Sequence, residues 1–172
     1  MLGTSLGTVL DLGCANSVHL NLFPPESFKI GIDLSLQALL TAEAAAQSSL
    51  VVADGCSVPM KDETAHFILA CGLVHHVHRD LRKFFSEVFR VFVPGGVLYV
   101  DEPNAHNPLW RLILQSPLGR EIDSGITELI PAPEIITAAS SFQCEDRIFH
   151  GLFKQPTLAV RLIVVLRKPF SR

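Results

Sequence analysis

With 172 residues, 48% of them hydrophobic and 18% charged, the chain can bury one core but is too short for two ordinary domains. Fourteen basic against seventeen acidic side chains leave a formal charge of −3. That balance argues against a nucleic-acid substrate, because neutralising phosphates takes clustered Lys and Arg. The four cysteines contain no CxxC pair and read as small buried thiols. The best membrane candidate, Leu158–Leu166, is short and broken by Arg161, so no span of about 20 apolar residues exists. The N-terminus lacks a basic region and carries Asp11 inside its first apolar stretch, which is unlike a signal peptide. A soluble cytoplasmic protein is expected.

Strand and helix signals then alternate along the chain, the pattern of an α/β fold with a parallel sheet. Thr8–Leu12 is a first strand, followed by a short helix over Ser17–Phe23 that Pro24 and Pro25 stop. Phe28–Ile32 is a second strand ending at Asp33. Ser35 caps a helix through Leu36, Leu39, Leu40 and the Ala-rich stretch Ala42–Gln47. Ser49–Ala53 is a third strand, Asp54–Glu63 a loop, and His66–Cys71 a fourth strand. Leu81, Phe84, Phe85, Val88 and Phe92 share one face of a helix over Arg79–Phe92. Pro94-Gly95-Gly96 ends it and turns the chain into the strand Val97–Val100. Glu102–Pro133 contains five prolines and one short helix near Leu109–Gln115, and reads as a cap. After a helix near Glu134–Ser140, the β-like stretches Phe142–Phe153 and Thr157–Arg167 close the sheet as an antiparallel pair.

The strand ends carry the chemistry. Open parallel sheets bind ligands beyond the carboxyl ends of their strands. Asp11, Asp33 and Asp54 stand at three successive ends. A carboxylate at the first turn repels a pyrophosphate and attracts a cationic ligand. A nicotinamide-dependent oxidoreductase needs G-x-G-x-x-G there, and Asp11-Leu12-Gly13-Cys14-Ala15-Asn16-Ser17 does not supply it.

Four segments, taken in order, resemble the class I S-adenosylmethionine-dependent methyltransferases of the type 11 branch. They are Val9-Leu10-Asp11-Leu12-Gly13-Cys14, Gly31-Ile32-Asp33-Leu34-Ser35, Val52-Ala53-Asp54 leading to Pro59, and Val91-Phe92-Val93-Pro94-Gly95-Gly96. The resemblance implies a Rossmann-like three-layer α/β sandwich whose seven-stranded sheet is mostly parallel with an antiparallel C-terminal hairpin. It implies one domain over residues 1–172, with 102–133 as a cap or lid insertion. The cofactor implied is S-adenosyl-L-methionine. Its binding residues would be Asp11, Gly13, Cys14 and Ala15 at the first turn, Asp33 and Leu34 at the ribose, Asp54 and Gly55 at the adenine, and Cys71 and Gly72 near the sulfonium. The family pattern Asp-x-Gly-x-Gly-x-Gly has Ala15 and Ser17 at its last two glycines, a strain of about 1 kcal/mol wherever the backbone needs a positive φ. Only seven residues precede Thr8, where the family usually has a covering helix.

Methyl transfer to a small-molecule acceptor is the expected function, with His75, His76 and Glu102 as candidate bases. The alternative is a non-catalytic, methyltransferase-like binding or regulatory domain with a degraded glycine loop. No metal is expected, because the histidines of His75-His76-Val77-His78 have no Cys or carboxylate at zinc spacing. The expected partners are the acceptor alone, with no nucleic acid and no membrane span. A homodimer contact or partner protein over the short N-terminus is the further possibility.

Overall fold

Seven strands form one sheet: β1 (Thr8–Leu12), β2 (Phe28–Asp33), β3 (Ser48–Val52), β4 (Ala65–Cys71), β5 (Phe92–Pro103), β6 (Gln143–His150) and β7 (Arg161–Arg167). The computed structural model describes residues 6–42, 48–117, 128–151 and 155–170. The strand order is β3-β2-β1-β4-β5-β7-β6. The first five strands pair in parallel, and β7 runs antiparallel to both β5 and β6. This is the Rossmann-like α/β sheet and C-terminal hairpin that the sequence predicts.

Strand β1 is central and covered on both faces, so Val9, Leu10, Asp11 and Leu12 are all fully buried. From β1 the chain winds outward through β2 to β3 on one side and then crosses back to β4 on the other. That reversal opens a crevice at the carboxyl end of β1, the usual ligand position in such sheets. Among the described residues the α-helices are α1 (Leu36–Leu40), α2 (Leu81–Val91), α3 (Pro108–Gln115) and α4 (Ala132–Ala138). The predicted apolar face of α2 is the buried one, with Leu81, Phe84, Phe85 and Val88 in the core.

Element ends differ from the sequence-based expectation for local reasons. The Ser17–Phe23 helix is a single 3₁₀ turn, Val18–Leu22. Helix α1 stops at Leu40, where the Thr41 hydroxyl bonds back to the Ala38 carbonyl and competes with the helix ladder. Its expected continuation over 43–47 lies outside the described residues. Strand β5 begins at Phe92, five residues early. Ala65 pairs with Phe92 but Phe67 with Val97, so Pro94-Gly95-Gly96 is an irregularity within the strand. Gly95 takes φ +81° there, and its N–H donates to the Lys168 carbonyl at 2.9 Å. Strand β5 also runs on through Glu102 and Pro103, pairing with Leu162 and Arg161. Of the expected cap, residues 118–127 lie outside the described ones. Its start is pinned: buried Asn104 donates through Nδ2 to the carbonyls of Pro156 and Ala159, and Asn107 to those of Leu158 and Ala159. These bonds fix the approach to β7.

Candidate active site

A cleft of about 640 Å³ opens at the carboxyl ends of the central strands. The turns after β1, β2, β3 and β4 supply Gly13 and Ala15, Asp33 and Leu34, Asp54 and Gly55, and Gly72 with Leu73. Cys71 and Asp101 come from β4 and β5, Arg161 from β7, and His19 and His76 from the loops above. The volume lies within the range of about 300–1,000 Å³ typical of small-ligand sites.

The first turn takes a left-handed path three times. Gly13, Ala15 and Ser17 have φ of +68°, +44° and +60°. The backbone is thus in the region glycine adopts readily at both positions where the family pattern has glycine and this chain does not. The turn is held from below by the N–H groups of Gly13 and Cys14, which donate to the Ile32 carbonyl at 2.8 and 3.1 Å.

Asp33 links this turn to the next. Its Oδ2 accepts from the Ala15 N–H at 2.9 Å and its Oδ1 from the Ser35 N–H at 2.8 Å. A carboxylate offers about four lone-pair sites, so two remain for a ligand's hydroxyls. Asp54 is fixed by one bond, its Oδ1 accepting from the Cys56 N–H at 2.8 Å.

Asp11 and Cys14 are placed differently from the other expected cofactor residues. Both are buried in the wall rather than lining the cleft. Cys14 packs behind the turn, and burial pushes its thiol up to about 11. Neither carboxylate oxygen of Asp11 has a hydrogen-bond partner, and His19 Nδ1 stands 3.7 Å away. Burial raises the Asp11 pKa, and the interaction with Asp11 raises that of His19. Burial also pushes the Cys71 thiol, on the cleft wall, up to about 12.

The three candidate bases separate. His76 lines the cleft. His75 and Glu102 are buried beneath it and bond to each other, with Nδ1 and Oε2 2.6 Å apart. Glu102 also accepts from the Val74 N–H at 2.7 Å, so it ties the loop after β4 to β5. The His75 ring lies against His76, 4.1 Å between centroids and tilted by 41°, so His75 supports its neighbour from below. The reason for the split is the strand pleat: Glu102 follows Asp101, so the two side chains leave β5 on opposite faces. Among the described residues no group of three or more side chains is arranged to hold a metal ion.

A family model described as a methyltransferase domain, of type 11, matches residues 10–100. This chain belongs to the methyltransferase domain family. S-adenosyl-L-methionine is the cofactor of that family, and the cleft fits it in two respects. Acceptors stand at successive strand ends, and a buried carboxylate beside the first turn has no hydrogen-bond partner, with His19 as its only near cation among the described residues. Among curated proteins, a tRNA (carboxymethyluridine(34)-5-O)-methyltransferase of Arabidopsis thaliana is 32% identical over 94 residues, 54% of this chain and 23% of that protein. A thiol S-methyltransferase of Rattus norvegicus is 28% identical over 130 residues, 69% of this chain and 53% of that protein. The chain thus spans between about a quarter and a half of the curated relatives it matches. Among solved structures, a SAM-dependent methyltransferase from Archaeoglobus fulgidus superposes with a TM-score of 0.78 at 14% identity, covering 96% of this chain and 87% of that one. A methyltransferase from Haloferax volcanii, solved with a methyltransferase activator, gives 0.73 at 17% identity, covering 98% and 85%. At these identities the likeness is one of fold.

His19 and Arg161 are basic cleft residues that sequence reasoning passed over, and Leu73 and Val77 are apolar ones. Arg161 did leave a signal, as the one charge interrupting the apolar run Leu158–Leu166. His19 lies two residues past the glycine-pattern turn, where no family motif points. No helix among the described residues is long and apolar enough to cross a membrane.

Proposed function

We propose that this methyltransferase domain binds S-adenosyl-L-methionine in the strand-end cleft and transfers its methyl group to a small acceptor. The observation that carries the reading is Asp33. Its carboxylate is oriented by two backbone N–H groups yet keeps free lone pairs toward the cleft, as recognition of a diol requires. Asp33 and Leu34 would hold the ribose, and Asp54 and Gly55 the adenine. Gly13 and Ala15 would meet the rest of the ligand along the first turn. When bound, the cofactor supplies a methyl group activated by its sulfonium. The side chains of Leu73 and Val77 on the lining exclude water from the reacting centre, and the walls align the acceptor. His76 is the candidate to hold an acceptor proton, because it alone of the three expected bases reaches the cleft. His75 and Glu102 support it. A partner over the N-terminus belongs to this reading as a cover for the cleft.

Titration with S-adenosylhomocysteine tests the proposal calorimetrically. Saturable binding should weaken about tenfold or more in Asp33→Ala, the loss of charge-assisted hydrogen bonds. No heat from the unsubstituted protein at high ligand concentration would overturn it.

A nucleoside within RNA is the second acceptor reading. Two curated relatives, from Arabidopsis thaliana and from yeast, are tRNA methyltransferases. Arg79, Arg82 and Lys83 line a groove of about 710 Å³ that begins at His78, two residues beyond His76. RNA binding whose affinity falls steeply with added salt would favour this acceptor. Salt-independent or absent RNA binding would favour the small one.

A further inference from the structure

The charges lining the cleft are unevenly distributed. Over β2 and β3 the charged lining residues are Asp33 and Asp54. The basic lining residues His19, His76 and Arg161 lie toward the other end, over β1, β4, β5 and β7. There the strand register sets Cys71 beside Asp101 and Arg161 beside Pro103. Arg161 donates through Nε to Asp101 Oδ1 at 2.8 Å and through Nη2 to the Asp101 carbonyl at 3.1 Å. Two of its five N–H donors are engaged in this way, and the guanidinium is held at the cleft wall with its plane set by Asp101. Asp11 lies behind the same end with neither oxygen hydrogen-bonded, and His19 stands 3.7 Å from it on the cleft lining.

A nucleoside seated on Asp33 and Asp54 directs the remainder of an adenosyl amino-acid ligand toward this second end. That remainder is a zwitterion. It presents an ammonium, toward which the Asp11 carboxylate in the wall contributes negative potential, and a carboxylate, matched by a guanidinium with spare donors on the lining. We infer that Arg161, oriented by Asp101 and assisted by His19, binds the amino-acid carboxylate of the cofactor. The inference rests on the cofactor reading above and adds the residue that distinguishes the amino-acid end from a bare nucleoside. Asp101 is a positioning residue in this arrangement, since it acts through the guanidinium.

The test uses two ligands that share the nucleoside and differ in the amino-acid end. S-adenosylhomocysteine carries the carboxylate, and 5′-methylthioadenosine lacks the amino-acid group altogether. Calorimetric titrations of the unsubstituted protein, Arg161→Gln and Arg161→Lys should show the glutamine variant losing about 10- to 100-fold in affinity for the first ligand. Affinity for the second should change by less than about twofold, and lysine should fall between arginine and glutamine. Equal losses for both ligands would overturn the inference, because they would mark Arg161 as a structural partner of Asp101. So would an unchanged affinity for S-adenosylhomocysteine, or an unsubstituted protein that binds both ligands equally well. An unsubstituted protein that binds neither overturns the cofactor reading itself. Should Arg161→Gln fail to fold, Arg161→Lys keeps the charge but loses the planar fork, and its ratio of affinities for the two ligands separates the same outcomes.

Discussion

At Ala15 and Ser17 the chain keeps a glycine's backbone without the glycine. A left-handed conformation costs a residue with a Cβ roughly 1–2 kcal/mol, and a glycine's extra freedom in the unfolded chain offsets about half of it. Ala15→Gly should therefore stabilise the fold by about 0.5–1 kcal/mol in urea denaturation. Ser17→Gly should gain about 1–2 kcal/mol, since the buried Ser17 Oγ also lacks a partner. A loss of stability in either variant would show that the turn does not take this path in solution. Asp11 and His19 give a pH dependence. The interaction with Asp11 raises the His19 pKa in the folded state, so its contribution is complete below the ordinary value of about 6.5. It is lost as pH rises through the raised value, where Asp11 stays buried beside a neutral ring. Denaturation at pH 6 and pH 9 should show the unsubstituted protein losing stability across this window and His19→Gln losing less. An identical loss in both would assign the effect elsewhere.

Helix α2 shows what an element carries besides its apolar face. Near its end Arg90 donates to both Glu87 oxygens at 2.7 and 2.9 Å, to Asp62, and to the carbonyls of Met60 and Val58. Glu87 in turn accepts from the Val58 N–H at 2.8 Å. The clamp holds the loop that follows Asp54 and therefore the Asp54 end of the cleft. Arg90→Lys should destabilise the protein by about 1–3 kcal/mol, because an ammonium cannot make the fork. Arg90 also holds the Glu87 carboxyl below its usual range. The contribution of Glu87 is present above its ordinary value of about 4.5 and is lost as pH falls through the lowered one. Arg90→Lys should accordingly flatten the acid limb of the stability profile, and an unchanged limb would refute the assignment. The apolar period of α2 is plain in the sequence. The clamp is not, because Val58, Met60 and Asp62 lie about 30 residues upstream and nothing local pairs them with Arg90.

At the scale of the whole molecule, Asn104 joins the end of β5 to the approach to β7. Asn104→Ala removes the donors to the buried Ala159 carbonyl and the part-buried Pro156 carbonyl, and the acceptor for the His106 N–H. A loss of about 2–4 kcal/mol is expected in equilibrium unfolding, since groups left unpaired inside the protein bear the full desolvation penalty. A loss below about 0.5 kcal/mol, within the range of an ordinary surface substitution, would mean that solvent replaces the bonds. The strands, the hairpin and the carboxylates Asp33 and Asp54 were legible because period, turn residues and strand-end position are local properties. The fates of His75, Glu102, His19 and Arg161 were not, because each is decided by a partner on another strand or loop.

The sequence by itself therefore determined the elements, their parallel alternation and the family pattern along the strand ends, all of which follow from residues within a few positions of one another. Tertiary structure alone decided that Asp11 is a buried wall residue without a hydrogen-bond partner, that Glu102 turns inward while Asp101 faces the cleft, and that Arg161 crosses from β7 to meet Asp101. Charge, burial and hydrogen bonding are relations between distant segments, and the sheet sets them only when it brings β1, β4, β5 and β7 side by side.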